Sequence, residues 1–80
     1  MAKYQGHKNW NHWNVSLWIN NDEGLYNLAR SCIQDAKRHG ATKLGAADRM
    51  LYELEQSETL KTPDGAPYSV SSIRAAMVGM

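Results

Sequence analysis

The 80-residue chain predicts an all-α fold, a compact single domain (residues 1–80) of three to four short helices at about 9–20, 22–39, 43–57 and 69–79. Three observations carry that expectation. Apolar residues recur at helical spacing, residues that start and stop helices stand between the periodic segments, and no convincing pair of alternating strands occurs. The length allows one small core and sits near the limit where burial offsets chain entropy, so a partner or a homodimer would help to stabilise it. Residues 1–8 are read as a leading segment that need not be ordered.

The first segment, about 9–20, admits two readings. Trp13, Val15, Leu17 and Ile19 alternate as in a half-buried strand, whereas Trp10, Trp13/Asn14, Leu17 and Trp18 recur as on one helix face. Trp18 breaks the alternation, so helix is preferred, with Trp13 and Leu17 assigned to the core and Trp10 and Trp18 to its rim. In the second segment Asn21 is taken as the cap of a helix that begins at Asp22, with Asp22 and Glu23 placed where the helix dipole favours negative charge. Leu25, Leu28, Ala29, Cys32, Ile33 and Ala36 form its inner face, and Gly40 is its left-handed terminator. The third helix starts near Thr42, with Leu44, Ala47, Leu51 and Leu54 as the packing stripe, Met50 beside it and Arg49–Glu53 as an outer i,i+4 pair. Thr62-Pro63-Asp64-Gly65 reads as a type I turn. Ser69 caps the last helix, Tyr68 packs on Ile73, and Val70, Ile73, Ala76 and Met77 face inward.

Composition narrows the function. The formal net charge is +1, so bulk electrostatics does not drive binding to nucleic acid or to an anionic membrane. Charge is uneven nevertheless: Lys3, His7, Lys8 and His12 stand in a stretch without acids, Arg30, Lys37, Arg38, His39 and Lys43 form a second basic cluster, and Asp48, Glu53, Glu55 and Glu58 form an acidic run. With a single Cys32 no disulfide framework is possible. No apolar run approaches the roughly 20 residues of a membrane span, and the first residues lack the apolar core of a secretory signal. The expected location is the cytoplasm.

Catalytic chemistry is not indicated. His7, His12, His39 and Cys32 are the soft ligands and none are at zinc spacing, so no metal or cofactor is expected. Cys32 and His39 stand about 10 Å apart along one helix, too far for a thiolate–imidazole pair. The chain is expected not to be an enzyme. Two surfaces carry function instead. The first is a recognition patch of Trp10, Asn11, Asn14, Trp18, Asn21 and Asp22, since Trp is enriched at binding hot spots and Asn bonds to a partner's backbone. The alternative is a helix-turn-helix-like, nucleic-acid-binding final helix using Ser71 and Arg74, aided by Lys37 and Arg38. Arg74 stands as the sole base in that helix, and phosphate contacts normally need several.

Two blocks together resemble a family of small, largely uncharacterised proteins encoded by tailed phages, prophages and some plasmids. In the first, Trp13, Asn14, Val15, Leu17, Trp18, Asn21, Asp22, Glu23, Leu25 and Tyr26 match. In the second, Asp64, Gly65, Tyr68, Ser69, Ile73, Arg74 and Ala76 match. The resemblance implies a mobile-element origin and no reaction. By analogy it suggests an accessory protein that binds a host protein or ribonucleoprotein stoichiometrically in the host cytoplasm, as an anti-CRISPR or other anti-defence inhibitor does. On that view Glu53 and Glu55 of the acidic run are further candidate contacts, facing a basic nucleic-acid channel. A virion structural or assembly role is a third reading.

Overall fold

The computed structural model describes residues 8–80. The expectations resting on Lys3 and His7 lie outside the described residues. Among those described there are four helices: α1 (Trp10–Asn21), α2 (Glu23–Arg38), α3 (Lys43–Gln56) and α4 (Val70–Ala76). The first segment is therefore helix and not strand. Asn9 caps it, its side chain accepting from the His12 backbone N–H at 3.0 Å.

α1 and α2 meet at a single residue, Asp22. Its backbone N–H still donates to the Trp18 carbonyl at 2.9 Å, while its side chain accepts from the Leu25 N–H at 2.9 Å. Asp22 is thus the cap assigned above to Asn21. Asn21 instead ends α1, its amide donating to the Leu17 carbonyl at 2.8 Å. The reason is geometric: a carboxylate at the bend reaches the exposed amides of the next helix, and Asn21 is still inside the preceding one. Gly40 terminates α2 at φ 72°, with the Ala41 N–H closing onto the Ala36 carbonyl at 2.7 Å. After α3 the same left-handed position falls on Glu58, at φ 58°.

The helices form a closed ring of neighbours. α1 packs on α2 and α4, and α3 packs on α2 and α4; among the described residues the backbones of α1 and α3, and of α2 and α4, lie across the ring from one another. Val15, Ile19, Ala29, Cys32, Ile33, Ala47, Met50, Ile73 and Met77 meet at the centre. Two assignments are corrected. Leu17 is 39% exposed and Trp13 only half-buried, so neither fills the core, and in α3 Leu44 is exposed while Ala46 is buried. In each case a second sector of the helix is also apolar, and it is that sector which is buried. α4 is shorter than the expected 69–79. Ser69 caps it reciprocally with Ser72, the Ser72 N–H donating to Ser69 Oγ at 3.1 Å and the Ser69 N–H to Ser72 Oγ at 3.0 Å.

Between α3 and α4 the chain makes a short hairpin. Lys61 bridges Pro67, the Thr62 N–H donates to the Ala66 carbonyl at 2.8 Å, and the Tyr68 N–H donates to the Leu60 carbonyl at 3.1 Å. Its tip is the expected turn: the Gly65 N–H donates to the Thr62 carbonyl at 2.8 Å, and Gly65 holds φ 94°.

Candidate functional site

The tryptophan–asparagine helix has two faces with different work. On the inner side Asn14 is 1% exposed. Its amide N–H donates to Asp64 Oδ2 at 2.9 Å, and the Trp18 indole N–H donates to the same oxygen at 2.9 Å. The Thr62 hydroxyl donates to Asn14 Oδ1 at 2.6 Å and accepts from the Ala66 N–H at 3.0 Å. Asn14, Trp18, Thr62 and Asp64 therefore latch the hairpin tip to α1. The Asn14 bond, then the Trp18 bond, hold the Asp64 carboxyl below its ordinary value. Asn14 is consequently not a surface contact, which corrects its place in the recognition patch: a buried amide must be bonded within the fold.

On the outer side a helical turn of about 100° per residue brings Trp10, Trp13 and Leu17 within a sector of roughly 60°, directed away from Val15 and Ile19. Trp10 is 38% exposed and Leu17 39%. Asn20 and Asn21 flank this stripe. Their amides donate back to their own helix, Asn20 to the Ser16 carbonyl at 2.8 Å and Asn21 to that of Leu17. No Asp, Glu, Lys or Arg occurs anywhere in α1.

The remaining candidates scatter. Asn11 is exposed but points to the Trp18 side of α1, about 100° from Trp10. Asp22 is occupied as a cap. Glu53 is bound to Arg49 at 3.1 Å, on the flank facing α2, whereas Glu55 lies roughly 160° around α3. The acidic run is thus not one surface. Lys37 and Arg38 are exposed in the last turn of α2, Arg74 is exposed on α4, and the backbones of those two helices do not pack side by side. Ser71 is 3.0 Å from His12 Nε2, a bond tying α4 to α1. α4 follows α3 through the hairpin of residues 57–69 and not through the short turn of a helix-turn-helix pair.

A shallow groove of about 330 Å³ between α2 and α3 is lined by Leu28, Ser31, Cys32, Asp35, Arg38, Arg49 and Glu53. Burial pushes the Cys32 thiol up, opposed by the nearby Arg49 charge. Among the described residues no cluster of three His, Cys, Asp or Glu is placed to hold a metal, and no helix is long and apolar enough to cross a membrane.

Sequence reasoning missed Thr62 and Asp64 as partners of the first block, and the exposure of Leu17. The recurrence of Asn14 and Trp18 four residues apart was a signal for a shared acceptor, but it did not say which loop supplies it. Searches of curated proteins and of solved structures find no match to the chain. The profile of DUF7249, described as a family of unknown function, matches residues 1–80, and the chain belongs to that family.

Proposed function

We propose that the protein is a small accessory module that acts by stoichiometric binding to another protein, as an inhibitor of a host-defence assembly of the CRISPR–Cas kind. The observation that carries the binding reading is the outer face of α1, where Trp10 and Leu17 stand exposed on a helix without a single charged residue. Large apolar side chains grouped on a surface mark interaction sites, and tryptophan in a charge-depleted patch has the composition of an interface centre. The anti-defence part of the reading is supported by the resemblance of the two sequence blocks to phage and plasmid proteins.

The test is a plasmid-interference assay in cells with an active defence system, with and without the full chain. Plasmid survival is expected to rise with the chain, and to return to background with Leu17→Glu at equal protein level. Unchanged survival across the defence types of its host would overturn the inhibitor reading.

A further inference from the structure

Deepening the protein-binding reading, on which it rests, we propose that Asp64 and Trp18 form a receptor for one arginine side chain of the partner protein. The hairpin tip brings the carboxylate to α1, where the Asn14 amide and the Trp18 indole N–H both donate to Oδ2 at 2.9 Å. Those two donors need a single acceptor oxygen. The second oxygen, Oδ1, takes no hydrogen bond from the described residues, and Asp64 is exposed. Its charge is unanswered as well. The ion pairs among the described residues join Asp35 to His39 and Glu53 to Arg49, and exposed Lys8 and Lys61 make none with Asp64. Asp22 is occupied by the Leu25 N–H, so among the described residues Asp64 is the carboxylate that side chains of another element hold in place with an oxygen to spare.

Three properties select a guanidinium. A carboxylate already fixed in direction loses little conformational freedom on taking a ligand. Its spare oxygen offers a charge-assisted hydrogen bond. The Trp18 ring, half-buried beside it, adds a surface on which a planar cation stacks, and the indole bond to the anion polarises the ring toward holding one. Arginine is planar, weakly hydrated and rich in donors, so it bonds to Oδ1 and lies against the indole together. The compact, strongly hydrated ammonium of lysine gains less from the ring. Asn14 lies between Trp10 and Leu17 along α1, about 40° from the first and about 60° from the second, so the receptor borders those exposed apolar side chains.

The test titrates the isotope-labelled full chain with Nα-acetyl-arginine amide, and separately with Nα-acetyl-lysine amide, following the indole N–H resonances by NMR. The Trp18 resonance is expected to shift saturably with the arginine probe, at a half-saturation about fivefold or more below that of the lysine probe. Asp64→Asn keeps an acceptor for Asn14 and Trp18 but removes the charge, and should raise the half-saturation about tenfold. No saturable shift, an equal response to both probes, or a response that survives Asp64→Asn would overturn the receptor; the comparison of probes needs no variant to fold. Affinity capture from native cell extract, parent against Asp64→Asn, separates this site from the reading it rests on. A protein held by the parent and reduced about tenfold on the variant is expected. A protein held equally by both would overturn the receptor as the partner's contact and leave protein binding standing. No protein held by the parent would remove the protein-binding reading and with it the partner's arginine. Dimerisation of the parent that Asp64→Asn abolishes would assign the arginine to a second copy and overturn the partner assignment.

Discussion

Asp64 sits 50 residues from Asn14 in sequence, yet one of its oxygens takes hydrogen bonds from both Asn14 and Trp18. Those bonds favour the charged carboxylate, which fixes the direction of a pH effect. Because its folded value lies below the ordinary 3.8, Asp64 stabilises the fold at every pH above that value, and the contribution disappears as pH falls through the lowered one. Melting temperatures from pH 6 downward should therefore fall more steeply below about pH 4 for the parent than for Asp64→Asn. Parallel acid limbs would mean that the carboxylate is not held in the latch. Asn14 is more sensitive still, since removing a buried group strands its partners. The Thr62 hydroxyl, bonded at 2.6 Å, would lose its acceptor.

At the scale of the element, the joint between α1 and α2 depends on one side chain. Asp22→Ala removes the bond to the Leu25 N–H and should lower stability by about 1 kcal/mol. Urea denaturation measures this directly, and a change within about 0.2 kcal/mol would assign the joint to packing alone. The joint also shows what the sequence made legible. The Gly40 terminator, the Thr62–Gly65 turn, the Ser69 cap and the Arg49–Glu53 pair all depend on residues close in sequence, and each could be read there, whereas the α2 cap was placed one residue early and α4 was carried past Ala76. The face of a helix was legible only where one sector was apolar and the other polar, as in α2. In α1 both sectors are apolar, so Leu17 and Val15 could not be sorted into outside and inside. In α3 the exposed Leu44 and the buried Ala46 were exchanged because hydropathy alone ranks Leu above Ala for burial. The latch was illegible for a different reason: Asn14 and Asp64 meet only after the whole chain has closed.

Across the whole molecule, the ring of four helices leaves little redundancy. Each helix has two neighbours, and the core they share is centred on Ile19, Met50, Ile73 and Met77. Within α1 the aromatic side chains are divided between the latch and the exposed surface. Trp18 and Asn14 secure the hairpin, Trp13 is half-buried, and Trp10 and Leu17 stand exposed. The acidic and basic clusters seen in the sequence do not assemble into comparable surfaces, because Glu53 and Glu55 lie on different sides of α3 and the bases of α2 and α4 stand on helices whose backbones do not pack side by side.

The division of α1 into a buried, latching side and an exposed side is tested most directly by the unfolding free energies of Leu17→Glu and Asn14→Ala, measured side by side by urea denaturation. Asn14→Ala is expected to lose about 1–3 kcal/mol. Leu17→Glu should lose less than about 1 kcal/mol, as substitutions at exposed positions do. A Leu17→Glu variant destabilised as much as Asn14→Ala would place Leu17 in the core and contradict the account.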